Sequence, residues 1–230
     1  MSETISTASM WSIMAVEKRD ADIYSFNYSY VDSDGKTKTY NSSANNTYFT
    51  SVMMNKEYNS YAFNNTSASS AYTYLCGYDD VFVFRGHGAP GLIGFRNSAG
   101  EFNGRIAADS AVSGHSANRY ISSCEENELS SLKCVLYLGC NTGVNKVVSG
   151  YTYNLVTSTY NKGAHFVLGT TETVVVSASN NFLKGFVSGV SSDKRILECI
   201  QEGIETAGID STGRTYPIIY VGDIYQYLVY

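Results

Sequence analysis

The sequence predicts an α/β domain: a mostly parallel sheet flanked by helices on both faces, with an N-terminal hairpin or irregular region. Three observations carry that expectation. Short all-apolar runs, VFVF, CVLYLG and HFVLG, recur in the second half of the chain, and such runs mark strands buried on both faces. Helical stretches separate them, which implies parallel pairing through crossovers. The 230 residues suit one compact domain, and hydrophobic residues, at 43%, are enough for a core.

Residues 1–78 read as N-terminal strands and loops. ADIYSFNYSY (21–30) alternates as a strand, DSDGK is a turn, and TKTY (37–40) is the returning strand of a hairpin. The Asp-x-Asp-Gly of that turn resembles the start of a calcium loop but lacks the downstream ligands. Residues 42–70 are dense in Asn, Ser, Thr and Tyr, with a helix around SVMMNKEYNSYAF and loop elsewhere. The sequon NNT in this stretch is what an Asn- and Thr-rich composition produces by chance.

Residues 79–230 carry the main core. VFVF (81–84) is a buried strand, and GLIGF with NSAGEFNGRIAA gives two short strands around a glycine-containing turn. EENELSSL (125–132) reads as a short helix with acidic residues in its first turn, where the macrodipole favours them. CVLYLG (134–139) is the second buried strand. A helix over roughly 144–160 leads through NKG to the third, HFVLG. SASNNFLKGFVSGV and DKRILECIQEGIETAG are amphipathic helices, and PIIYVGD is a last strand.

Composition excludes several function classes. The net charge is −5 and the basic residues are scattered, whereas phosphate binding needs clustered Lys and Arg, so nucleic acid is not an expected partner. No apolar run approaches the length of a membrane span, so membrane insertion is not expected either. The opening segment lacks the basic start and long apolar core of a signal peptide, which favours the cytoplasm over secretion. The five cysteines, Cys76, Cys124, Cys134, Cys140 and Cys199, show no CxxC spacing. Reduced thiols fit better than a disulfide framework, and no metal or cofactor is implied.

In an open parallel sheet, chemistry collects at the carboxyl ends of the strands. RGHG follows VFVF and places His87 there; Cys140 follows CVLYLG; TTET, with Thr171 and Glu172, follows HFVLG. Three strands thus deliver a histidine, a cysteine and an acid to one edge, as nucleophilic catalysis requires. Cys134 and Cys199 read as core packing, His165 as the start of a strand and His115 as part of a polar loop. Gly139 before Cys140 and Asn-Thr-Gly after it mark a sharp turn that would expose the thiol, while Gly86 and Gly88 let the backbone turn tightly around His87. GHGAPG also matches a GxGxxG fingerprint, but Pro90 and the extended GLIGF replace the helix which that fingerprint needs.

At these residues the sequence resembles the clan CD cysteine peptidases: caspases, gingipains, clostripain, separase and the CHAT domains. VFVFRGHG is similar to the family's histidine motif and CVLYLGCNTG to its cysteine motif; GAHFVLGTTETVVVSASNNFLKGF is similar to the segment after the nucleophile. The likeness covers residues 79–189 and implies a caspase-like fold and cysteine endopeptidase activity on a protein or peptide substrate. It implies that Cys140 attacks the scissile carbonyl, that His87 protonates the leaving amine, and that the amides of Gly88 and Cys140 form the oxyanion hole. Some relatives carry an acid two places before the nucleophile, where this chain has Leu138. Glu172, with Thr171 beside it, is the nearest substitute, which implies cleavage after Arg or Lys. Asp79 and Asp80 stand at the other end of the His87 strand, roughly 23–26 Å away at some 3.3 Å per residue. Self-cleavage at Arg105, Arg119 or Lys146 and a regulatory protein partner are further expectations. A caspase-like domain that binds without cleaving is the alternative reading.

Overall fold

The computed structural model describes residues 19–31, 34–209 and 213–228. The opening segment read above for a signal peptide lies outside these residues, as does part of the DSDGK turn. The elements run in the order β1 (Asp20–Ser25), β2 (Tyr28–Val31), β3 (Thr37–Tyr40), α1 (Ser43–Asn55), β4 (Ala62–Asn64), α2 (Ala68–Gly77) and β5 (Asp79–Ala89). Then come β6 (Leu92–Arg96), β7 (Phe102–Ala107), β8 (Arg119–Tyr120), β9 (Cys134–Gly139), β10 (Lys146–Val148), β11 (Tyr151–Tyr153) and α3 (Leu155–Asn161). The chain closes with β12 (Phe166–Thr170), α4 (Val176–Ser191), α5 (Ile196–Ala207) and β13 (Ile218–Gly222).

The central sheet runs β4-β1-β5-β9-β12-β13, parallel throughout except for β13, which is antiparallel at one edge. Apolar strands that alternate sides need cover on both, and the helices provide it. Val81 and Val83 of β5 and Leu136 of β9 pack in one cluster with Phe49 and Met53 of α1, Phe182 and Phe186 of α4, and Ile200 of α5. Phe82 and Phe84 pack on the opposite side with Val135 and Tyr137, against Ala71 and Leu75 of α2 and Val156 of α3. The predicted fold class is therefore observed. Cys134 and Cys199 are fully buried in the core, as expected.

The N-terminal region differs from its reading. Its first strand, β1, is buried along nearly its whole length and pairs with β5, and β4 extends the sheet beyond it. The expected hairpin exists as β2–β3. The helix read around SVMMNKEYNSYAF starts earlier and ends at Asn55, and α2, capped by Ser67 accepting from the Ser70 amide at 3.1 Å, was not anticipated. Polar composition hides α2, which buries only Ala68, Ala71 and Leu75, and β4, which has no fully buried residue.

Two other readings are corrected. EENELSSL forms turns with amide bonds from Glu128 to Glu125, Ser130 to Asn127 and Leu132 to Leu129. Asn127 takes a positive φ of 63°, which stops an α-helix from propagating. The helix expected over 144–160 is the hairpin β10–β11 followed by the short α3. Ser149 and Gly150, at φ 51° and 84°, form the tight turn, and the flanking Val and Tyr residues favour strands.

Phe182 is fully buried, with its ring 4.7 Å from that of Tyr216 and stacked on it. Phe182→Ala should lower unfolding free energy by about 3–5 kcal/mol in urea denaturation; a loss below about 1 kcal/mol would show that the α4 interface is not the packing described.

Candidate active site

Gly86 of β5 pairs with Gly139 of β9 in parallel register. His87 and Cys140 are the next residues on the two strands, so they stand at neighbouring positions where the β5–β9 pairing ends, on strands about 4.8 Å apart. The glycines permit this approach. A Cβ on Gly88 would fall 2.6 Å from the Cys140 carbonyl oxygen and 2.5 Å from the Thr142 methyl. A Cβ on Gly86 would collide with Phe26 at 2.2 Å. Neither glycine has a positive φ, and β5 continues as strand through Ala89, pairing His87 with Gly94 of β6. The tight turn expected around His87 is absent; the glycines serve close packing.

The sharp turn after Cys140 is present. Asn141 sits at φ 58°, in the left-handed region that Asn tolerates. Its amide donates to the Glu172 carbonyl at 3.0 Å, and the Gly143 amide donates to the Thr170 carbonyl at 2.8 Å. The Thr142 hydroxyl donates to the Tyr137 carbonyl at 2.7 Å and accepts from the Thr170 amide at 3.0 Å. The Thr170 hydroxyl donates to the Gly139 carbonyl. Asn154, capping α3, donates to the Gly143 carbonyl at 2.8 Å. These bonds lock the Cys140 turn to the end of β12 and bring Glu172 and Thr171 to the same edge. Thr142 and Thr170 carry no catalytic pattern of their own; the polar Thr-Gly and Thr-Thr after buried strands are the signal available for them in the sequence.

Cys140 is half-buried, and its thiol reaches the Val174 carbonyl at 3.6 Å. His87 keeps part of its ring open to solvent, while Phe26 stacks on it at 5.3 Å between centroids. The protein packed around the ring disfavours its charged form, and Arg96 adds repulsion, so both push its pKa below the usual 6.5. The neutral imidazole is then the main form at neutral pH. His87 holds fewer protons in the folded chain than in the unfolded one. Its contribution to stability is therefore full above pH 6.5 and declines as pH falls through the folded pKa.

Val174, whose carbonyl the Cys140 thiol meets, lines a cavity of about 420 Å³ together with Glu172, Ser177, Asn181, Arg214 and Tyr216 among others. Glu172 is ion-paired with Arg214 across it. Leu138 is placed elsewhere: it is 2% exposed and packs in the core with Leu136 and Leu168, so its side chain does not line the cavity. Asp79 and Asp80 lie at the far end of β5, as expected; Asp79 is buried and accepts from the Tyr24 hydroxyl at 3.0 Å. His115 accepts from the Ala117 amide at 3.1 Å within its own loop. Arg105 and Arg119 are not in flexible positions. They lie in β7 and β8, bonded to Ser113 and Ser69, respectively. Lys146 is exposed at the start of β10.

No family model matches the sequence, and no curated protein sequence is similar to it. Solved structures are similar. Gingipain R, an Arg-specific cysteine proteinase, superposes with a TM-score of 0.57 at 9% identity, over 89% of this chain and 46% of that one. Caspase-1 from Spodoptera frugiperda gives 0.52 at 11% identity, over 93% and 92% of the two chains. Separase in the Saccharomyces cerevisiae separase–securin complex gives 0.50 at 14% identity, over 89% and 12%. This chain thus spans about half of the gingipain chain. It has a caspase-like fold, and its structural neighbours are cysteine peptidases.

In an NMR titration, His87 should show a midpoint below 6.5. Arg96→Gln should raise the midpoint only partway, because burial is the larger cause. A wild-type midpoint at or above 6.5 would contradict the packing seen around the ring.

Proposed function

We propose that the chain is a cysteine endopeptidase working through a Cys140–His87 dyad. The observation that supports the reading is the Gly86–Gly139 register, after which His87 and Cys140 are the next residues on adjacent parallel strands. A neutral His87 accepts the Cys140 proton, and the thiolate attacks the scissile carbonyl. The amides of Gly88 and Cys140 donate to the oxyanion of the tetrahedral intermediate, each contributing roughly 3 kcal/mol of transition-state stabilisation. His87 returns the proton to the leaving amine, and water then hydrolyses the acyl-enzyme.

The cavity beside Cys140 receives the side chain that precedes the cleaved bond, and we assign it to Arg or Lys. Glu172 supports this assignment, because its main chain is bonded to the turn of the nucleophile. Arg214 occupies the carboxylate from the opposite wall. Both side chains are about half exposed, and exposed ion pairs are worth only about 0–1 kcal/mol. A substrate cation can therefore replace Arg214 at small cost, while Thr171 borders the same edge.

The test is a fluorogenic peptide library varied at that residue. Cleavage should follow Arg and Lys and be lost in Cys140→Ala. His87→Ala should lower kcat by about 10²–10⁴-fold. Glu172→Gln should reduce kcat/KM for basic substrates by about tenfold or more, the equivalent of roughly 1.4 kcal/mol. Cleavage after other residues would discard the pocket assignment and keep the dyad; turnover surviving in Cys140→Ala would discard both.

A further inference from the structure

Cys76 and Cys124 are 48 residues apart in sequence, yet their sulfurs lie 3.6 Å apart. Cys76 is in the last turn of α2, and Cys124 follows a single turn of 3-10 helix, Ile121–Ser123. Glu128 stands four residues on, with a carboxylate oxygen within 4.8 Å of both sulfurs. Among the described residues this is the one group of three such donors drawn together. It lies on the α2–α3 side of the sheet, where Cys124 packs in the core cluster with Tyr137 and Leu75.

We propose that Cys76, Cys124 and Glu128 bind one zinc ion. Two thiolates and a carboxylate are a zinc-type donor set, with a solvent-facing fourth position left for water. Tetrahedral Zn–S bonds of about 2.3 Å place two sulfurs roughly 3.8 Å apart, close to the 3.6 Å observed. A disulfide would instead need about 2.05 Å, closing the gap by roughly 1.5 Å. Glu128 is exposed, and one of its oxygens accepts from the Glu125 amide at 2.5 Å, which steadies the carboxylate and leaves the other oxygen for the ion.

The charge also balances. Two thiolates, a carboxylate and Zn²⁺ sum to −1, and the Lys162 ammonium, bonded to the Cys124 carbonyl, lies alongside. The Tyr72 hydroxyl, which donates to the Tyr120 carbonyl at 3.0 Å, lies 3.1 Å from the Cys124 sulfur. An S–H to S contact alone would account for the two sulfurs. It leaves unexplained that a carboxylate also lies within 4.8 Å of both sulfurs. Bound zinc would tie α2 to the segment that feeds β9, independently of the peptidase reading.

The test uses the whole chain, reduced, in a Cys140→Ala background so that the candidate nucleophile cannot hold metal. Cobalt(II) should bind at one equivalent with thiolate-to-cobalt charge-transfer absorption, and one equivalent of zinc should displace it. Cys76→Ser and Cys124→Ser should each abolish the absorption. Glu128→Gln is on the surface and safe for folding, and it should weaken zinc affinity at least tenfold, measured against a competing chelator. Absent charge transfer, absorption surviving either serine variant, or unchanged affinity in Glu128→Gln would overturn the site. So would a Cys76–Cys124 disulfide found in the purified chain by mass spectrometry under non-reducing conditions.

Discussion

The packing of β5 against β9 is the constraint on which the rest of the structure depends. Both strands are largely buried and covered by helices on both sides, so neither can carry accessible polar chemistry along its buried length. Chemistry becomes possible only where the strands leave the core, and they leave together because Gly86 and Gly139 share a register. That register tolerates nothing larger: a Cβ on Gly139 would lie 2.8 Å from the Gly86 carbonyl oxygen. The glycines around His87 and Cys140 thus let two backbones touch, and the candidate dyad follows from that contact.

The end of β12 is fixed to this pair by polar bonds that the apolar sheet cannot provide. Thr142 and Thr170, both fully buried, satisfy each other and the carbonyls of Tyr137 and Gly139. Buried polar groups satisfied in this way hold a loop in one conformation, since breaking any bond leaves an unpaired group away from water. The Cys140 turn is consequently a rigid base. The half-exposed pair Glu172–Arg214 above it is a weak, exchangeable contact. A rigid turn around the candidate nucleophile, beside an exchangeable cavity wall, is an arrangement that would suit the proposed peptidase site.

The opposite side of the sheet has its own dependence on tertiary contact. α2 packs through Ala68, Ala71 and Leu75, residues small enough to bring the helix close to the 3-10 turn near Cys124. This closeness is what sets Cys76 beside Cys124. The N-terminal region therefore supplies two strands of the sheet and two covering helices, and one thiol of a second candidate site.

The sequence by itself determined the core strands, the amphipathic helices α4 and α5, and the positions of His87 and Cys140. Uninterrupted apolar runs and helical periodicity are local signals, and a residue just past such a run must lie at a strand end. It marked β1 as a strand without its pairing to β5, and it did not determine β4 or α2, which lie in polar surroundings. It misread the β10–β11 hairpin, where the Ser149–Gly150 turn outweighs an apparently helical stretch. Tertiary structure alone decided that Leu138 belongs to the core, that Arg214 faces Glu172, and that Cys76 meets Cys124. Those facts are relations between segments distant in the chain, and no local pattern encodes a distance that packing creates.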